Sequence, residues 1–186
     1  MTIDSWPDHL LDLDEWDALP DDIARRHELV EGVPHMSPRP SARHQRLARL
    51  LMTALDAVLP DEWCAVYDVE VLIEGGRPPT VRAPDVVVLR TATADDRLRQ
   101  NPSDMLAVVE VLSPGTRRTD RVAKLAEYAE AGIAHYAILD PEPPVGLTEL
   151  RLVNDRYEVV AEHHAACRAD LGLVVLVDLD ALDVNP

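Results

Sequence analysis

The sequence predicts a domain of the α/β or α+β class, in which helices cover a mixed β-sheet. Strand and helix patterns are interleaved in the order α, ββ, α, βββ, α, β, ββ. Hydrophobic residues make up 47% of the 186 residues, which supplies a packed core. We expect one domain over 1–186, with a core at about 24–163, an acidic N-terminal helix at 8–19 and a C-terminal strand and tail at 165–186.

The N-terminal part is expected to form a short helix, a hairpin and a long helix. Leucine and tryptophan recur at helical spacing over 8–19. Residues 27–36 surround a Glu31-Gly32 turn, which is typical of a β-hairpin. Ser41 is placed to cap the N-terminus of a helix that runs to about Leu59.

Three strands are expected in the centre of the chain. Apolar and acidic side chains alternate over 65–73, as in a half-buried strand. The apolar runs at 85–89 and 105–112 each contain one acid and are typical of central strands covered on both faces. The polar stretch 91–104 predicts a loop or a short helix.

The C-terminal part is expected to contain a helix followed by strands. Gly132 favours the left-handed backbone that ends a helix. The predicted elements are a helix at 119–131, a strand at 134–139, a β-hairpin at 147–161 and a late strand at 173–177.

The formal net charge of −16 lies mostly at the two ends of the chain. Such a balance argues against a protein that coats DNA or an anionic membrane. The middle is nearly neutral and carries two basic patches. One patch, at 36–60, holds Arg39, Arg43, Arg46 and Arg49, and the other, at 113–124, holds Arg117, Arg118, Arg121 and Lys124. These patches are either solvated helix faces or, if they converge in space, contacts for phosphate.

Other features narrow the class of protein. We expect no membrane span, since no apolar run approaches the roughly 20 residues needed. The acidic N-terminus does not resemble a signal peptide, and Cys64 and Cys167 form no disulfide framework, so a cytoplasmic location is expected. GxxxxGK[ST], GxGxxG, HExxH and GxSxG motifs are absent.

Glu110 needs a chemical explanation, because it stands inside the apolar run MLAVVEVL. A bare carboxylate there must be protonated, paired with a cation or bound to a metal. Asp85 poses the same question at the start of DVVVL. Together the two acids would suit Mg²⁺, which favours carboxylates with several waters. The alternatives are pairing with arginine or, for Asp85, capping of a turn.

Lys124 is the one lysine beside seventeen arginines. Arg117, Arg121, Lys124 and Tyr128 fall on one helical stripe. The strand that holds Glu110 leads directly into this helix, so Lys124 can reach back over the acids. There it would orient a water, help to deprotonate it, or stabilise charge on phosphate. The alternative is a solvated surface lysine.

Several segments together resemble the Uma-type family of bacterial restriction-endonuclease-like proteins, part of the PD-(D/E)XK nuclease superfamily. They are HELVEGVPHMSP (27–38), His44, APDVVVL (83–89) and VVEVLSPGTRRTDRVAKLAEYAEAGIAHYAILDP (108–141). The resemblance implies a restriction-endonuclease-like mixed sheet, with an N-terminal helix and hairpin and a C-terminal β-hairpin.

The resemblance also implies roles for particular residues. Asp85 and Glu110 would be the two acids of the motif. The motif expects a lysine two residues after the second acid, where this chain has Leu112, so Lys124 would replace it from the following helix. Glu28 would be an accessory acid or a hairpin surface acid, and His44 a site-edge histidine or a helix packing residue.

Asp120, four residues before Lys124, would be either the ion-pair partner of that lysine or an acid at the start of a helix. The helix-start reading is preferred, since acids favour the first turn.

The implied function is endonuclease activity that depends on Mg²⁺ (or Mn²⁺) held by Asp85 and Glu110, with nucleic acid, above all DNA, as the partner. Lys124 would align the attacking water. The phosphate backbone would lie on Arg43, Arg46, Arg117 and Arg121. A homodimer with its acidic ends outward would reduce the repulsion of DNA. The alternatives are a catalytically silent nuclease-fold binding module and a metal-dependent hydrolase of a small phosphate compound.

Overall fold

The computed structural model describes residues 7–37, 39–94, 98–113, 115 and 119–179. The α-helices in these ranges are α1 (Leu13–Asp17), α2 (Asp21–Ala24), α3 (Ala42–Asp56), α4 (Thr91–Ala94) and α5 (Lys124–Glu130). The strands are β1 (His27–Val30), β2 (Val33–Met36), β3 (Trp63–Val66), β4 (Val71–Glu74), β5 (Thr80–Arg82), β6 (Val86–Arg90), β7 (Met105–Val111), β8 (His135–Asp140), β9 (Gly146–Val153), β10 (Arg156–His163), β11 (Cys167–Asp170) and β12 (Val174–Val177). A 3₁₀ turn at Pro102–Asp104 precedes β7, and a π-helical turn at Thr119–Ala123 precedes α5.

A mixed six-stranded sheet carries the fold, with the strand order β10-β9-β8-β7-β6-β3. Its neighbours are antiparallel except for β7 and β8, which are parallel. Parallel neighbours need a crossover connection, and here the π-helical turn and α5 provide it. The predicted class, a mixed sheet covered by helices, is therefore confirmed.

The two faces of this sheet are covered by different elements. On one face Val86, Val88 and Val109 share a core cluster with α3. On the other face Val87 and Val108 share a second cluster with α5. Because successive strand residues point to opposite faces, the sequence position decides which helix a side chain meets.

Helix α3 is fixed by its start and by its buried stripe. Ser41 caps it, and its side chain accepts a hydrogen bond from the backbone N–H of His44 at 3.2 Å. Leu47, Leu51 and Leu55 recur every four residues and are fully buried. Ser41 was the expected cap, but the helix ends at Asp56, before the expected Leu59.

A smaller four-stranded sheet, in the order β2-β1-β5-β4, lies beside the first. Helix α1 packs on it through Trp16, which meets Leu29 and Val81 in a third cluster. The turn of the β1–β2 hairpin needs Gly32, whose φ is +76° and whose added Cβ would lie 2.9 Å from Leu10 Cβ. The predicted hairpin is confirmed, and it stands beside the start of α3.

Some expected elements differ from the structure. The single strand expected at 65–73 is two strands in different sheets, because the backbone at Asp68 has a φ of +54° and breaks the run. The short strands β5 and β11 had no periodic signal to reveal them. The N-terminal helix covers Leu13–Asp17 rather than 8–19. None of the helices in the described part of the chain is long and apolar enough to cross a membrane.

Candidate active site

Glu110 lies on the face of the six-stranded sheet that α5 covers. Its neighbours Val109 and Val111 belong to the opposite cluster, so alternation along β7 turns Glu110 toward α5. The residue is 1% exposed. Its Oε1 accepts hydrogen bonds from Lys124 Nζ at 2.8 Å and from the Tyr128 hydroxyl at 2.7 Å. The acid that the sequence singled out is therefore buried and paired with a cation.

Asp85 is brought beside Glu110 by the pairing of β6 with β7. Val86 stands opposite Val109, so the next residue outward, Asp85, falls opposite Glu110. Asp85 Oδ2 accepts a 2.7 Å hydrogen bond from the Val111 backbone N–H and lies 3.0 Å from His44 Nε2. The two predicted acids share one face and one level of the sheet.

Lys124 is the first residue of α5 and reaches back to this pair of acids. Its Nζ lies 2.8 Å from Glu110 Oε1, 3.4 Å from Glu28 Oε1 and 3.4 Å from Asp120 Oδ1. The residue is 5% exposed, so its alternative reading as a solvated surface lysine is wrong. Asp120 lies in the first turn of the π-helical segment, as the preferred interpretation expected, and it is also an ion-pair partner of Lys124.

The π-helical turn before α5 sets the position of Lys124. The Tyr136 hydroxyl donates a 2.9 Å hydrogen bond to the Asp120 carbonyl and anchors the turn to β8. Turns of this type often lie at functional sites. Leu112, where the family motif has its lysine, is buried in the apolar cluster around Tyr128. Lys124 thus approaches the acids from the helix side of the sheet.

Glu28 and Arg82 join the smaller sheet to α5, Arg82 through Glu127 and Glu28 through Lys124. Arg82 Nη1 donates to Glu28 Oε2 at 2.8 Å, while Nε and Nη2 bond the Glu127 carboxylate at 2.7 and 2.6 Å. The Ala83 backbone N–H also donates to Glu28 Oε1 at 3.1 Å. Glu28 is buried, so its reading as a hairpin surface acid is wrong. Arg82 and Glu127 are site residues that the sequence did not reveal.

Lys124 remains protonated in this environment. Burial by itself would lower the pKa of the Lys124 ammonium, but the carboxylates of Glu110, Glu28 and Asp120 outweigh it and raise that pKa. A lysine with a raised pKa cannot remove a proton from water near neutral pH. Of the three predicted roles, help in deprotonating a water does not suit a charged ammonium, whereas orienting a water and stabilising charge on phosphate stay predictions.

The other groups of the cluster are shifted by burial and by their neighbours. Burial raises the pKa of the Glu110 carboxyl well above its usual range, and Lys124 opposes this effect. Burial also acts to raise the pKa of Glu28, but the charges of Lys124 and Arg82 lower it overall. Burial would lower the pKa of His44, yet its hydrogen bond to Asp85 raises it. His44 thus lies at the site, bonded to one of its acids.

The two acids fit a divalent cation. The hydrogen bonds described above occupy Asp85 Oδ2 and Glu110 Oε1. Within the described residues, no hydrogen bond or ion pair falls on Asp85 Oδ1 or Glu110 Oε2. No group of three or more His, Cys, Asp or Glu in the described chain is arranged to hold a metal. Mg²⁺ usually takes one or two carboxylates and keeps several waters, so two acids suffice.

The charges around the acids also favour a cation. Two permanent cations, Arg82 and Lys124, lie among five carboxyl groups, those of Glu28, Asp85, Glu110, Asp120 and Glu127. With every group ionised, the acids outnumber the bases, and a divalent cation would offset part of this excess negative charge.

The acids and Lys124 open onto a cleft of about 840 Å³ between the hairpin, the start of α3 and α5. The lining includes Glu28, His44, Asp85, Glu110 and Lys124. Five predicted site residues therefore share one surface.

The predicted phosphate-binding arginines are placed differently. Arg43, Arg46 and Arg121 are not among the residues that line the cleft, and Arg121 lies 3.3 Å from Asp140. Arg117 lies outside the described residues. The described lining instead carries three exposed arginines, Arg25, Arg26 and Arg39, whose positions near the hairpin carried no periodic signal.

Comparisons with known proteins identify a family and a similar fold. The model of the Uma2 family, described as a putative restriction endonuclease, matches residues 13–179. A similar solved structure is a putative nuclease belonging to DUF820 from Anabaena variabilis ATCC 29413. It has a TM-score of 0.70 and 18% sequence identity, over 93% of this chain and 97% of that chain, which shows a shared fold. No curated protein matches the sequence.

Proposed function

The chain belongs to the Uma2 family of putative restriction endonucleases, and we propose that it is a metal-dependent endonuclease that hydrolyses phosphodiester bonds, with DNA as its substrate. The observation that carries the proposal is the convergence of Asp85, Glu110 and Lys124. Asp85 directly precedes β6, Glu110 lies on β7 and Lys124 begins α5, yet their polar groups meet at one face of the sheet, where the cleft opens.

Asp85 and Glu110 would hold the divalent cation, Mg²⁺ or Mn²⁺. When bound, this cation polarises the phosphate and lowers the pKa of a water. The chain's contribution is to fix both carboxylates: the Val111 N–H and His44 hold Asp85, and Tyr128 and Lys124 hold Glu110. Carboxylates already held by such contacts need little rearrangement to bind a cation.

Lys124 would act as a fixed positive charge. Its ammonium donates to Glu110 and is protonated near neutral pH, so it can donate a further hydrogen bond to a water or a phosphate oxygen. Burial strengthens this effect, because charges interact more strongly away from solvent. Lys124 thus positions the nucleophile and stabilises charge that develops on the phosphate.

Cleavage of plasmid DNA under varied divalent ions tests the proposal. We expect the wild-type chain to cleave with Mg²⁺ or Mn²⁺ and Glu110→Ala to be inactive. Glu158→Ala is the matched control, because Glu158 is exposed on β10 and does not line the cleft. Lys124→Arg should lower the rate by about 10² to 10³ while the fold is kept, since a planar guanidinium cannot replace the ammonium among three carboxylates.

The outcome also separates the alternatives. A wild-type chain that binds DNA but never cleaves it would identify a silent nuclease-fold binding module. A chain that hydrolyses small phosphodiesters but not DNA would identify a hydrolase of small phosphate compounds. The homodimer and the cytoplasmic location remain predictions of the same proposal, as does the single domain over 1–186.

A further inference from the structure

One rim of the cleft carries an unusual set of arginines for so acidic a protein. Arg25 and Arg26 follow α2, and Arg39 lies in the segment between β2 and α3. All three are exposed and line the cleft. None of their side chains makes a hydrogen bond or ion pair with the described part of the chain, although the sequence holds 34 acids. By contrast, Arg82, Arg99 and Arg151 are each paired with an acid.

The backbone holds these arginines close to the candidate active site. The Ser37 N–H donates a 2.8 Å hydrogen bond to the Arg26 carbonyl, which ties the Arg39 segment to the end of α2. Glu28, which lies beside Lys124, follows Arg26 by two residues. Two residues of extended chain span about 7 Å. A strand of DNA rises about 3.4 Å per phosphate, so the rim lies within a few phosphates of the acids.

The rest of the lining limits what the rim can recognise. The acids Asp21, Asp68 and Glu70 also line the cleft, and Glu28, which lies near Arg26 in sequence, is paired with Arg82. No Trp or Tyr occurs among the described lining residues, and the chain has no Phe. Proteins that bind the bases of single strands use aromatic side chains for stacking. The chemistry offered here is guanidinium, which suits phosphate.

We propose that Arg25, Arg26 and Arg39 form an arginine rim that holds the phosphate backbone of nucleic acid beside Asp85 and Glu110. This inference rests on the proposed nuclease function and names the surface by which the substrate is held. Recognition is of the backbone, so binding depends on salt and not on base sequence. The rim also explains how a protein with a net charge of −16 can bind nucleic acid. Repulsion between acids and phosphates more than about 8 Å apart is largely screened at physiological salt, whereas the rim arginines contact the phosphates directly.

Two matched triple variants test the rim. Arg25→Ala/Arg26→Ala/Arg39→Ala removes it. Arg49→Ala/Arg156→Ala/Arg168→Ala removes three exposed arginines outside the cleft lining and lowers the net charge by the same amount. Both are made in the Glu110→Gln background, which prevents turnover. The probe is a fluorescein-labelled DNA duplex, and the readout is the dissociation constant from anisotropy across a range of salt concentrations.

The rim variant should bind the duplex at least about tenfold more weakly, and its slope of log K against log salt should fall by about 0.9 per lost contact. The control variant should bind like its parent. Equal binding by the two triple variants, or no binding by the parent, would overturn the rim. If the rim variant binds the duplex like its parent while the wild-type chain cleaves DNA in a Glu110-dependent way, the rim is refuted and the nuclease proposal stands. If DNA binding depends on the rim but the wild-type chain does not cleave DNA with any divalent ion, the hydrolytic function is refuted and the rim stands.

Discussion

Replacing Lys124 by methionine is expected to destabilise the fold strongly, because it leaves buried acids without their cation. Lys124 and Glu110 are 5% and 1% exposed. At their 2.8 Å separation, Coulomb's law with an effective dielectric constant of about 20 gives an attraction of about 6 kcal/mol before desolvation. Removing one partner of a buried pair lowers the free energy of unfolding by about 3–5 kcal/mol.

A double-mutant cycle separates this pair from general packing effects. Glu110→Gln alone leaves Lys124 with Glu28 and Asp120 at 3.4 Å, so its effect should be smaller, about 1–3 kcal/mol. The double variant should lose less stability than the sum of the single variants, because removing both charges leaves neither one unpaired. Urea unfolding followed by circular dichroism at neutral pH gives all four free energies of unfolding. A Lys124→Met effect below about 1 kcal/mol, or strict additivity, would refute the account of the pair.

Three further perturbations test the surrounding network. Arg82→Met should lower the free energy of unfolding by about 3–5 kcal/mol, since Arg82 is 3% exposed and its loss removes the ion pair of Glu127 and leaves Glu28 with Lys124 alone. Tyr128→Phe should lower it by about 1.5–3 kcal/mol, because the 2.7 Å hydrogen bond to Glu110 is lost. Glu28→Gln should make the free energy of unfolding fall less steeply as the pH is lowered. The pKa of Glu28 is lowered in the fold, so its contribution is present above the ordinary carboxyl pKa and is lost as pH falls through and below it.

Urea unfolding curves measure all three effects. The wild type and Glu28→Gln are compared at a series of pH values. An Arg82→Met variant as stable as wild type would contradict the bridging role of the guanidinium. A Tyr128→Phe variant with an unchanged free energy of unfolding would mean that the Tyr128 hydroxyl does not hold Glu110. If the free energy of unfolding falls equally steeply with decreasing pH in the wild type and in Glu28→Gln, the pKa of Glu28 is not lowered in the fold.

The sequence predicted the centre of the site because its signals were local. Glu110 is one acid in a run of apolar residues, and such a residue needs a partner wherever the strand lies. Lys124 was marked by being the one lysine and by following that strand directly. The mixed sheet followed from the interleaved helix and strand patterns. These features depend on neighbouring residues, so one chain suffices to reveal them.

Two supporting residues, Arg82 and Glu127, depended on tertiary contacts and were not predicted, whereas Glu28 was expected as an accessory acid only through the family resemblance. Glu28, Arg82 and Glu127 come from β1, β5 and α5, and only folding brings them together. Strand β5 has three residues, too few to show a period. In the arginine rim, Arg39 belonged to the basic patch expected at 36–60, whereas Arg25 and Arg26 lie in a segment between elements and were not singled out. The break at Asp68 in the strand expected at 65–73 is due to its left-handed backbone. The alternation of apolar and acidic side chains continues through this position and gave no sign of the break.

Calorimetric titration with Mn²⁺ or Mg²⁺ tests most directly whether Asp85 and Glu110 form a cation site above Lys124. We expect binding by the wild-type chain, no measurable binding by Asp85→Asn or Glu110→Gln, and unchanged binding by the surface control Glu158→Gln. Equal binding by the wild-type chain and both acid variants would show that Asp85 and Glu110 do not hold the cation.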